Sequence, residues 1–124
     1  MNPSSRDLSQ KRCLPCEKLG KPLTAEEIQS YLAAIPAWQL SNDSKSISRK
    51  FVMKNFAAAL RLVNQIGLLA EAENHHPDIH LTGYRNLLIE LSTHALGGLS
   101  QNDFVLAAKI DALPAELKEP KPNV

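Results

Sequence analysis

Pro77 decides where the longest apolar stretch of this chain stops being a helix. A proline has no backbone N–H to give and pushes the residue before it, here His76, away from helical geometry. Upstream, Asn55 is a residue type that caps helices, and the run FAAALRLVNQIGLLAEAE after it is rich in helix formers. Phe56, Leu60, Val63 and Gly67 recur at 4-3-4 spacing, which predicts that they share one apolar face. The helix therefore runs from Asn55 to about Asn74 and ends at a corner that holds His75 and His76. Ile66, Leu68 and Leu69 lie off the Phe56 face, which leaves two readings: a second side buried within one chain, or association of helices between subunits.

The same rules organise the rest. Thr24 and Glu27 have capping-box spacing and precede Ile28, Leu32 and Ile35, so a first amphipathic helix ends at Pro36. Between Ala37 and Met53 the apolar residues Trp38, Leu40, Ile47, Phe51 and Met53 fall mainly on alternate positions around the turn signal Asn42-Asp43-Ser44-Lys45, which predicts a hairpin. Ile79 and Leu81 mark a third strand. Leu87, Ile89 and Leu91 mark a fourth, which delivers Ser92, Thr93 and His94 at its end before Gly97-Gly98. Ser100 and Asp103 form a cap pair for a last helix carrying Phe104, Ala107, Ala108 and Asp111, stopped before Pro114. The order αββαββα predicts an α+β fold, a four-stranded antiparallel sheet with three helices on one face. Trp38, Phe56 and Tyr84 are expected in the core or a pocket wall, and Asp103 as a cap.

Length supports one domain: 124 residues with 44% hydrophobic composition supply one core, assigned to 22–113, between a flexible leader, 1–21, and a flexible Pro- and Lys-containing tail, 114–124. The 14 basic and 13 acidic residues are scattered, so no basic stripe is available for nucleic acid. No apolar stretch approaches the roughly 20 residues of a membrane span. The start MNPSSRDLSQKR lacks a signal-peptide apolar segment, so the expected compartment is the cytoplasm. Cys13 and Cys16 form one C-x-x-C in the leader, half of a zinc site or simply two reduced thiols, and receive no role.

Chemistry is carried by histidines. His75, His76 and His94 sit at element ends, where scaffolds present functional side chains, and an imidazole both gives and takes a proton near neutral pH. Two such groups suit an elimination; histidines held at the surface or by structural hydrogen bonds are the plainer reading. Three imidazoles and a water also make a zinc site, but successive side chains in extended backbone point to opposite sides, so His75 and His76 are poorly placed to share an ion.

Glu71-x-x-x-His75-His76-Pro77, then six residues to Tyr84, nine to His94 and eight to Asp103, resembles the signature of the pterin-4a-carbinolamine dehydratases. Pro36-Ala37-Trp38, Lys54-Asn55-Phe56 and Ser92-Thr93-His94 ahead of Gly98-Leu99-Ser100 reinforce the resemblance, which spans about 22–113. It implies a 4a-hydroxytetrahydrobiopterin dehydratase, a hydro-lyase that yields quinonoid dihydropterin for an aromatic amino acid hydroxylase without a metal or redox cofactor. It implies catalysis by His75, His76 and His94, with Glu71, Asn74, Pro77, Ser92 and Thr93 around the substrate, and a homodimer or homotetramer. The alternative it offers is a non-catalytic pterin-binding or dimerisation module, a transcriptional cofactor or one linked to molybdopterin enzymes. Asn74 stands where many relatives have an acidic residue, and Gly83 is an extra residue between strands; both depart from the pattern.

Overall fold

The structure, a computed structural model, describes residues 3–118. Helices α1 (Ser5–Ser9) and α2 (Ala25–Ala34) precede strands β1 (Gln39–Leu40) and β2 (Ile47–Val52). Helix α3 (Phe56–Glu73) leads to β3 (Asp78–Thr82) and β4 (Asn86–Leu91), and α4 (Gln101–Asp111) closes the order. The four strands form one antiparallel sheet in the order β1-β2-β4-β3, as the α+β reading expects.

Alternation decides which side of the sheet is covered. Ile47 and Phe51 on β2 and Leu87, Ile89 and Leu91 on β4 are buried, and Phe51 pairs with Leu87 in register. They meet Ile28 and Ile35 of the α2 region, Leu62 and Ile66 of α3, and Phe104, Val105, Ala108 and Ile110 of α4 in one cluster. Trp38 closes an edge, its indole N–H donating to Asp111 at 2.9 Å, with Arg49 paired to the same carboxylate.

The caps follow the sequence. Thr24 and Glu27 form a capping box, Asn55 accepts from the Ala58 N–H, and Ser100 and Asp103 form a second box. Among the described residues no helix is long and apolar enough to cross a membrane.

Helix α3 corrects one expectation. It buries Ala58, Leu62, Ile66 and Ala70, spaced by four, while Phe56 and Leu60 are exposed and Val63 is half-buried. Both stripes satisfy helical periodicity, and the one that carries alanines lets the backbone approach its neighbours more closely. Ile66 is therefore core, whereas Leu68 remains 74% exposed. Tyr84, expected in the core or a pocket wall, is exposed in the β3–β4 turn, where Gly83 and Tyr84 both take positive φ.

The described part of the leader makes specific contacts with the domain. Ser4 and Asp7 cap α1, and Leu8 is fully buried where α1 packs on α4. Beyond it the Glu73 carboxylate accepts the Cys13 N–H at 2.8 Å, and the Asn102 side chain both accepts from Leu14 N–H and donates to Leu14 carbonyl, each at 2.8 Å. The Cys13 thiol points at the Asn102 carbonyl, and burial, reinforced by the Glu73 carboxylate, pushes it up to about 12, so it stays uncharged at neutral pH. At the other end, Met53 bridges to Leu117 and the Lys118 N–H donates to the Val52 carbonyl, so 114–118 continue along the edge of β2. The remainder of the expected tail, 119–124, lies outside the described residues.

Candidate active site

Two chain segments bring the histidines together. The first is the end of α3, where Asn74 takes left-handed geometry (φ 51°, ψ 41°) and turns the chain out of the helix. Asparagine tolerates this conformation better than most residues, which gives the departure at this position a local reason. The second is the end of β4, where Thr93 bridges back to Gly98 around a 3-10 turn, His94–Leu96, closed by Gly97 at φ 68°.

The consecutive histidines part company. His75 is buried, and its Nε2 lies 2.7 Å from Asp103 Oδ1; His76 is exposed, with Nε2 2.5 Å from the exposed Glu71 carboxylate. An ionised carboxylate can only accept, so each Nε2 is the donor in its pair and Nδ1 is the nitrogen turned away from the carboxylate. Among the described residues no carboxylate pairs with the exposed His94 ring. The fourth histidine, His80, pairs with Glu90 at 2.7 Å across β3 and β4.

Asp103 does more than cap a helix. Its Oδ2 accepts the Ser100 N–H at 2.9 Å and the Thr93 hydroxyl at 2.8 Å, while Oδ1 holds His75. Because Thr93 gives its proton to the carboxylate, its oxygen is left to accept from the Ser100 hydroxyl at 2.7 Å. Asp103, Thr93, Ser100 and His75 are all buried and hydrogen-bonded to one another, a condition that fixes ring geometry. The sequence signalled the cap through the Ser100–Asp103 spacing; the only signal for the hold on His75 was the place of Asp103 in the resemblance.

Asn74, His75, His76, Ser92, Thr93, His94 and Ala95 line one hollow of about 240 Å³. That is below the roughly 300–1,000 Å³ of pockets for drug-sized ligands and suits a small heterocycle. Glu71 stands outside the lining and reaches it through His76; Pro77 also lies outside it, at the entry to β3. A second hollow of about 360 Å³ shares Ser92, Thr93 and His94 and continues past Asp43, Lys45, Asp78 and Glu90. Among the described residues no three His, Cys, Asp or Glu side chains are grouped as metal ligands.

A family model described as pterin 4 alpha carbinolamine dehydratase matches residues 21–113. The chain is 42% identical over 116 residues to the mitochondrial pterin-4-alpha-carbinolamine dehydratase 2 of Arabidopsis thaliana, covering 91% of this chain but 62% of that protein. It is 44% identical over 108 residues to a Halorhodospira halophila protein whose own assignment to the same dehydratase is provisional, covering 87% of this chain and 98% of the relative. A crystal structure of a transcriptional coactivator/pterin dehydratase from Brucella melitensis superimposes with a TM-score of 0.70 at 32% identity, covering 74% of this chain and 97% of that one.

Proposed function

This chain belongs to the pterin 4 alpha carbinolamine dehydratase family of hydro-lyases, and on that premise we propose that it removes water from a 4a-hydroxytetrahydropterin by histidine acid–base catalysis. The observation that carries the reading is the convergence of His75, His76 and His94, from two segments, on one small hollow. The reaction breaks the C4a–O bond, moves a proton to the departing hydroxyl and takes the N5 proton, leaving quinonoid dihydropterin and water. Two groups in opposite protonation states across the ring suffice.

In this reading His76, its tautomer held by Glu71, takes the N5 proton through Nδ1, and protonated His94 delivers a proton to the hydroxyl. His75 orients the ring edge under the hold of Asp103. Asn74, Ser92 and Thr93 offer amide, hydroxyl and backbone groups to the polar edge of the pterin. Such a carbinolamine is the product of a pterin-dependent hydroxylation of an aromatic amino acid, so the enzyme belongs to the recycling of tetrahydrobiopterin.

A homodimer or homotetramer is part of the proposal, supported by the exposed Phe56, Leu60 and Leu68 on α3. We assign the protein to the cytoplasm, against the mitochondrial setting in the Arabidopsis relative's name; cell fractionation decides between them.

The testing experiment is stopped-flow dehydration of enzymatically generated 4a-hydroxytetrahydrobiopterin by the purified protein, with its mass in solution followed by light scattering. Acceleration over the spontaneous rate by a dimer or tetramer is the expected result. Pterin binding without acceleration would replace the enzyme by a binding module, and a monomer would remove the oligomer.

A further inference from the structure

Leader contacts converge on the two segments that hold His75. Glu73, which accepts the Cys13 N–H, is the last residue of α3, two before His75. Asn102, which takes both backbone groups of Leu14, is the residue before Asp103. Two adjacent leader residues, Cys13 and Leu14, thus tie the end of one segment to the start of the other, across the hydrogen bond from His75 to Asp103. Two more contacts anchor it along α4: Leu8 is fully buried, and Lys109 Nζ donates to the Ser9 carbonyl at 2.9 Å.

The side chains involved are committed to this contact. Asn102 is 2% exposed and the Glu73 carboxylate 9%, its second oxygen 4.0 Å from Lys109 Nζ. Without the leader, Asn102 would lose both backbone partners that fix it at the first turn of α4, where backbone N–H groups already lack partners within the helix. That turn carries Asp103, so its loosening is transmitted to the imidazole.

We propose that the leader is a strap that positions His75 for catalysis, with Asn102 and Glu73 as positioning residues that act through Asp103 and the α3 corner. This inference rests on the dehydratase reading of the site. Reacting groups are sensitive to placement, a displacement of about 1 Å costing as much as 10²-fold. A strap that only partly relaxes when one contact is cut is expected to cost about tenfold in kcat.

The test uses the full chain with Asn102→Ala at one end of the strap and Leu8→Ala at the other. Each variant is read by kcat and KM for the carbinolamine and by the NMR resonance of the His75 Nε2 proton. The expected result is kcat down about tenfold with KM changed less than twofold, a broadened or lost resonance, and no further loss when either substitution is placed on His75→Ala. Should both variants unfold, Glu73→Ala and Glu73→Gln replace them, because Gln keeps the acceptor for the Cys13 N–H and restores both readouts if the strap acts as proposed. Unchanged kcat and resonance, or an undiminished loss in the His75→Ala background, overturns the strap and leaves the dehydratase reading standing. A wild-type protein that does not dehydrate the carbinolamine sinks that reading instead, and the resonance alone then decides whether the leader holds the ring.

Discussion

Replacing His76 or His94 by Ala lowers the dehydration rate by about 10²–10⁴-fold, the usual worth of one positioned general acid or base. Both rings are exposed, so neither substitution opens a cavity, and stability should stay within about 0.5 kcal/mol of the parent. That separation of activity from stability is the diagnostic feature. His75→Ala differs, because it also leaves the buried Asp103 carboxylate without its imidazole partner, so activity and stability fall together. The double variant His76→Ala with His94→Ala should lose little more than the worse single one, since acid and base serve one proton relay. Stopped-flow dehydration with urea unfolding of the same preparations checks both halves, and unchanged turnover in both single variants would remove the acid–base proposal.

The largest stability effect belongs to Asp103. Its two oxygens accept three hydrogen bonds, from His75, Thr93 and the Ser100 N–H, with no solvent exposure. Asp103→Ala leaves these donors buried and unpaired, at about 1–3 kcal/mol for each that finds no other partner. A loss of roughly 3–5 kcal/mol is expected, the range for removing one partner from a buried pair. That is a large part of the stability of an ordinary domain. Asp103→Asn keeps the shape but offers one accepting oxygen in place of two and sets an NH₂ against a donor, so it should fall between. Urea unfolding with an unchanged m value is the check; a loss below about 1 kcal/mol for Asp103→Ala would show that water or a rearrangement satisfies the network.

What could be read before the structure was whatever local rules govern. Thr24, Asn55 and Ser100 announced helix starts because a cap is a contact over three residues, and Leu87, Ile89 and Leu91 announced a strand because alternation is a property of neighbours. The face of α3 was not legible, since the Phe56–Leu60–Val63–Gly67 stripe and the Ala58–Leu62–Ile66–Ala70 stripe both fit a helix, and only packing against the sheet selects one. The seated leader was out of reach for a different reason. Its partners lie 60 and 88 residues away at Glu73 and Asn102, and a polar segment whose three leucines, Leu8, Leu14 and Leu19, match neither helix nor strand spacing carries no periodic signal. At the site, the corner at His75 and His76 followed from Pro77, and the end of β4 at His94 from alternation. No local rule joins these two ends; the resemblance alone grouped the three histidines, and the hydrogen bond by which Asp103 holds His75, 28 residues away, is a feature of tertiary structure.

Ring NMR of the four histidines during titration with a stable dihydropterin tests most directly whether this hollow takes the pterin. The account predicts that saturating ligand shifts His75, His76 and His94 together and leaves His80, paired with Glu90 and outside the lining of the hollow, as an internal control. Saturation without perturbation of those three rings, or a response confined to His80, would place the pterin elsewhere and contradict the account.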